Sequence, residues 1–286
     1  MLYTKLAGSI EETCNLLTLG RLMKVFRFLL ILLMAGCASN PYRQTNKVYK
    51  NKVKEYAKLL REYPLQDSAL SSGNFVGTTN LTMRRPNFVV IHHTAQNSCD
   101  QTLQTFTLPR TAVSAHYVIC RDGNVFHMLS DLLRARHAGV SKWGNNVDLN
   151  SSSIGIEIDN NGFEPFSEAQ INSLLVLLDR LKKAYSIPDA NFIGHADVAP
   201  GRKVDPSRYF PWKQLADKGF GLWYDTTNVK IPAGFDAMRA LRVIGYNIKD
   251  SVAAIQSFKI HFVQNDSLYR ITDADRKILF DLSNKY

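Results

Sequence analysis

The sequence predicts an α/β fold: a mixed central β-sheet flanked by helices, followed by a small C-terminal three-helix domain. Three observations predict it. The runs Phe88-Val89-Val90-Ile91, Ser153-Ile154-Gly155-Ile156-Glu157-Ile158 and Asn191-Phe192-Ile193-Gly194 are short and apolar, as in strands buried on both faces. A helical pattern lies between the second and third of them, so strands and helices alternate. The Asp122-Gly123 step joins His116–Cys120 to Asn124–Met128 as a tight hairpin, which makes one strand pair antiparallel and the sheet mixed.

The chain has 286 residues, 45% hydrophobic and 21% charged, with a net charge of +10. That balance fits one large or two smaller globular domains and argues against wholesale disorder. The positive excess points to an acidic partner: an anionic envelope polymer, a membrane surface or nucleic acid. Nucleic acid is the weakest of these, because no Arg/Lys-rich helix with interleaved aromatics and no zinc-finger spacing appears.

Taken in order, residues 1–37 read as an export signal. Arg21, Lys24 and Arg27 form a basic region, and Phe28–Met34 is an apolar run too short to span a bilayer. It ends in Ala35-Gly36-Cys37, which resembles a bacterial lipoprotein signal in which the Cys is lipidated. Met23 is a second candidate start for this signal. Residues 38–82 are polar and read as a tether, helical over Lys47–Glu62 with Tyr49, Val53, Tyr56 and Leu59 on one face.

Residues 83–225 carry the sheet. Ser167 and Gln170 form a capping box, and Ile171, Leu174, Leu175, Leu178, Leu181 and Tyr185 make the apolar face of the helix that follows. Pro188 stops it. Cys99 and Cys120 show no motif spacing, and two buried thiols are favoured over a bridge. Residues 226–286 hold three helical stripes: Phe235, Met238, Leu241 and Val243/Ile244; then Val252, Ile255, Phe258 and Phe262; then Ile278, Leu279 and Leu282 behind a Thr272–Asp275 cap.

Working residues of α/β proteins gather at strand ends. His92 ends the first strand, Glu157 interrupts an apolar one, and His195 follows the last, with Asp205 ten residues on in a loop broken by Pro200, Gly201 and Pro206. Two imidazoles and a carboxylate make a three-ligand zinc site with the fourth position left for water. Glu157 would then serve as general base and Lys203 as oxyanion stabiliser, a set suited to amide hydrolysis. Each also has a structural reading: His92 or His93 bonding backbone, Glu157 bridging Lys203, Asp205 starting a turn.

The segments Val90-Ile91-His92-His93-Thr94-Ala95, Ser114-Ala115-His116-Tyr117, His137-Ala138-Gly139, Ser153–Glu157 and His195–Pro206 resemble the zinc-dependent N-acetylmuramoyl-L-alanine amidases, the type 2 amidases. The match is strongest to their outer-membrane lipoprotein, AmiD-like branch. The resemblance implies that one zinc ion per chain binds His92, rather than His93, together with His195 and Asp205. It assigns Glu157 as base, Lys203 to the oxyanion, and His137 to the wall of the substrate groove; His116 falls at a family position near the site but is expected to be structural. The bond cut would join N-acetylmuramic acid to L-alanine in peptidoglycan or muropeptides. The expected protein is a monomer, lipid-anchored through Cys37 to the outer membrane and facing the periplasm. A peptidoglycan-sensing protein on the same fold and a stem-peptide metallopeptidase remain the alternatives. The three C-terminal helices resemble a peptidoglycan-binding module loosely. His93 and Ser207 depart from the residues usual at their positions.

Overall fold

The computed structural model describes residues 40–61, 78–266 and 268–286. The expected signal, including Cys37, and residues 38–39 and 62–77 of the tether lie outside the described residues. Among the described residues no helix is long and apolar enough to cross a membrane. The chain divides into two compact units, residues 1–77 and 78–286. In the first, the tether helix is present as α1 (Arg43–Leu59), and none of its residues is buried. Its apolar stripe, with Tyr56 and Leu59, faces out.

The second unit is built on five strands: β1 (Phe88–His93), β2 (Tyr117–Ile119), β3 (Val125–His127), β4 (Ser153–Ile158) and β5 (Phe192–Gly194). Their order is β3-β2-β4-β1-β5. β1 runs parallel to β4 and β5, β4 runs parallel to β2, and only the β2–β3 hairpin is antiparallel. The mixed sheet predicted from the Asp-Gly turn is therefore observed.

Strand alternation divides the side chains between two cores. Val89 and Ile91 of β1, the isoleucines at 154, 156 and 158 of β4, and Phe192 of β5 point to one face. There they meet α4 (Glu168–Tyr185), whose Ser167–Gln170 capping box forms as predicted. Leu174, Leu178 and Leu181 of α4 are fully buried in this layer. Val90 and Ile193 point to the opposite face and join a second core. That core is supplied by α7 (Ala237–Ile244), α8 (Ser251–Phe258) and α9 (Asp273–Ser283). The Thr272–Asp275 capping box of α9 is also present. Of the Val243/Ile244 pair, Ile244 is the buried one and Val243 is about half exposed; Val252, expected on the second inward stripe, is about half exposed instead. α8 continues into a wider turn over Lys259–Val263. Lys259 is buried there against Asp266 and Asp275.

The expectation of two free buried thiols is corrected. Cys99 and Cys120 form a disulfide, with Cα atoms 5.3 Å apart. Cys99 is the first residue of α2 (Cys99–Thr107), capped by Ser98, a helix the sequence patterning did not reveal. Its return over the end of β2 brings together residues that linear spacing leaves unrelated.

Candidate active site

The site forms at the carboxyl ends of β1, β4 and β5, on the face of the sheet that carries Val90. Alternation along β1 sends His92 to this face and His93 to the other. Along β4 the same parity brings Ser153, Gly155 and Glu157 to the His92 side, while the three isoleucines fill the opposite core. One acid inside an apolar strand thus lands at the site rather than in the core.

His195 opens the one-turn helix α5 (His195–Val198) directly after β5. The following loop folds back, and the Ala196 amide donates to the Asp205 carbonyl at 2.7 Å. His92 Nδ1 lies 2.9 Å from His195 Nδ1 and 3.0 Å from Asp205 Oδ2. His195 Nδ1 lies 2.9 Å from the same carboxylate oxygen. His92, His195 and Asp205, all buried, form a group able to hold a metal ion. Burial and the neighbouring His195 push the His92 imidazole down to about 4, so it is neutral at ordinary pH. A neutral imidazole is the form that ligates metal.

Glu157 lies beside this triangle, with Oε1 3.9 Å from His92 Nδ1. Burial, then the Asp205 charge, raises its carboxyl well above the usual range, against the opposing pull of Lys203. A carboxylate with raised proton affinity is suited to accepting a proton and releasing it again. Lys203 lines the same cavity of about 360 Å³, together with Arg136, Thr105 and Phe106. Its ammonium makes no ion pair among the described residues and is available to an anionic ligand.

The other expected residues are placed as follows. His93 accepts the Ser207 amide at Nδ1, 3.1 Å away, and is not in the triangle. His137 borders the cavity, but both its ring nitrogens face protein atoms, His92 Nε2 at 3.0 Å and Ser153 Oγ at 3.1 Å. His116 is fully buried and accepts the Gly155 amide at 3.0 Å, in line with a structural role.

Over 206 residues the chain is 33% identical to N-acetylmuramoyl-L-alanine amidase AmiD of Escherichia coli (strain K12), a match covering 61% of this chain and 74% of that protein. Residues 82–208 also match the family model described as N-acetylmuramoyl-L-alanine amidase. The chain belongs to the N-acetylmuramoyl-L-alanine amidase family. The amidase is also 39% identical over 103 residues to 1,6-anhydro-N-acetylmuramyl-L-alanine amidase AmpD of Haemophilus influenzae, of which it spans 56%. Among solved structures it resembles E. coli AmiD in complex with the substrate anhydro-N-acetylmuramic acid-L-Ala-D-gamma-Glu-L-Lys. The TM-score is 0.65 at 29% identity, covering 73% of this chain and 93% of that one. AmpDh3 from Pseudomonas aeruginosa in complex with anhydromuramic pentapeptide gives the same score and identity, covering 76% and 98%.

Two parts of the amidase site were invisible to sequence reasoning. Asn150 of the short helix α3 (Leu149–Ser152) receives the backbone amides of His137 and Ala138 at 3.0 and 2.8 Å. Asp197 takes the Gly194 amide, the Tyr246 hydroxyl and His261 Nδ1, each at 2.7 Å. The C-terminal helices therefore grip the loop that carries His195. Trp212, the first residue of α6 (Trp212–Ala216), stacks on His261 at 3.9 Å and completes the contact. Neither residue stands out by type, and the only available signal was their closeness in sequence to His195 or to β4.

Proposed function

We propose that this amidase hydrolyses the amide between the lactyl group of N-acetylmuramic acid and L-alanine in peptidoglycan or muropeptides, using zinc held by His92, His195 and Asp205. The observation that carries the reading is the convergence of two imidazole Nδ1 atoms and one carboxylate oxygen within about 3 Å of each other, with Glu157 alongside and not among them. Nitrogen and oxygen donors in a buried three-ligand group suit zinc with an open position. Zinc held there supplies Lewis acidity that activates water at neutral pH.

The chain's own residues do the rest. Glu157 accepts a proton from the attacking water and passes it to the L-alanine nitrogen as the C–N bond breaks. Lys203 offsets the negative charge that develops on the carbonyl oxygen, an effect worth roughly 3–4 kcal/mol for comparable donors. The products are a free lactyl carboxylate and a peptide with a new amino terminus. The similarity to proteins solved with anhydromuropeptides supports this substrate class. Export through the 1–37 signal and lipidation at Cys37 would hold the amidase at the outer membrane, facing the periplasmic wall polymer.

Digestion of purified muropeptides with and without a chelator, with products identified by mass, tests the reading. A lactyl-muramic sugar plus an L-alanine-terminated peptide, formed only without chelator, is the expected result. Cleavage inside the peptide, or binding without turnover, would overturn it.

A further inference from the structure

Each histidine of the triangle has two ring nitrogens, and only the one without hydrogen can bind a metal. The hydrogen-bond network around His92 and His195 decides which nitrogen that is. We propose that the His137-Ala138 segment, fixed by Asn150, sets the tautomer of both histidines: His137 through its side chain for His92, and Ala138 through its carbonyl for His195.

The chain of partners begins at Ser153. Its hydroxyl donates to the Leu149 carbonyl, an acceptor only, so toward His137 Nε2 the serine oxygen can only accept. His137 therefore carries its hydrogen on Nε2 and presents a lone pair at Nδ1. That lone pair faces His92 Nε2 at 3.0 Å, so His92 is the donor there and its Nδ1 is bare. One residue along, the Ala138 carbonyl faces His195 Nε2 at 3.1 Å. A carbonyl only accepts, and Arg202 Nη2, 3.4 Å from the same ring nitrogen, spends its two hydrogens on the Ala138 and Val140 carbonyls, so His195 also holds hydrogen on Nε2 and leaves Nδ1 bare. Both bare nitrogens point at Asp205 Oδ2. Three lone pairs meet with no hydrogen among them, an arrangement that a cation satisfies.

The segment is held to this task from its surroundings. Asn150 Oδ1 takes both amides, of His137 and Ala138, and is itself buried. Arg202 donates to the Ala138 carbonyl at 2.6 Å and keeps it aimed inward. Gly155 leaves room for the imidazole, since a Cβ built there would overlap the His137 ring. A glycine in the middle of a central strand otherwise weakens it; here it makes space for the positioning histidine.

The inference rests on the metal reading of His92, His195 and Asp205, and the test separates the two. In metal-free protein labelled with 15N at histidine, the ring spectra of wild type above pH 7.5 (about one unit past the free imidazole value) should show hydrogen on Nε2 of both His92 and His195. Ser153→Ala, a mild change, frees His137 to reverse, and His92 should then show the Nδ1–H form in part. Zinc affinity is measured in parallel by chelator competition. His137→Leu should weaken it by about 10- to 100-fold, as losses of such supporting partners do. His137→Asn, which can place an oxygen where Nδ1 was, should recover most of that loss. Asn150→Asp should likewise bind zinc better than Asn150→Leu. Wild-type affinity in His137→Leu, or a His92 lacking hydrogen on Nε2 in the wild type, would overturn the inference while His92→Ala still loses zinc. Unchanged affinity in His92→Ala would instead overturn the metal site itself.

Discussion

Glu157 stands directly opposite His92 in the register of two parallel strands, with its carboxyl 3.9 Å from the nitrogen that faces His195 and Asp205. Adjacent parallel strands hold such a pair at fixed separation, so the proposed base is positioned by backbone rather than by loop. Because it lies beside the ligand triangle and not in it, chemistry and metal binding should separate. Glu157→Gln is expected to retain zinc at wild-type affinity while kcat falls about 10²- to 10⁴-fold. Metal content and turnover measured on the same preparation check this, and unimpaired turnover would require another base.

His92 and His93 are neighbours with opposite fates. His92→Ala should lose zinc, because it removes one of the three proposed ligands. His93→Ala leaves the triangle whole and costs the Ser207 amide its acceptor, a loss of roughly 1–3 kcal/mol in stability with zinc retained. Metal analysis beside chemical denaturation distinguishes the two.

His116 gives the fold a pH dependence. Burial, only partly opposed by its bond to the Leu133 carbonyl, pushes this imidazole down to about 4 in the folded protein. The unfolded chain takes up the proton near 6.5. Stability from this residue is therefore full above about pH 6.5 and declines as pH falls toward 4, ending below the folded value. The loss is on the order of 3 kcal/mol. His116→Asn keeps an acceptor for the Gly155 amide and removes the titration. Urea unfolding of metal-free protein at pH 7 and pH 4.5 should show a smaller decline for the variant than for wild type; equal declines would refute the assignment.

The C-terminal helices share a core with β1 and β5 and reach the His195 loop through Asp197. Leu279 is fully buried in that core, so Leu279→Ala should destabilise the whole 78–286 unit by about 2–5 kcal/mol. Unfolding should stay a single transition when followed by tryptophan fluorescence and by far-UV dichroism. A separate early transition confined to the helices would contradict a shared core.

Much of this protein could be read from its residues alone. Apolar runs and the Asp-Gly turn predicted the mixed sheet, and two capping boxes marked the starts of α4 and α9. The residue types of a hydrolytic metal site stood at strand ends, and the family resemblance followed from them. These are local properties, set by side-chain chemistry and by periods of two and 3.6 residues. The resemblance already chose His92 over His93; only the tertiary structure decided that Cys99 and Cys120 are bonded and that Asn150, Ser153 and Asp197 support the site. His92 and His195 are 103 residues apart, and Asp197 and His261 are 64 apart. Which atoms meet across such distances depends on strand register and on the face each strand buries. Those are fixed when the two cores pack against the sheet, and no window of sequence contains them.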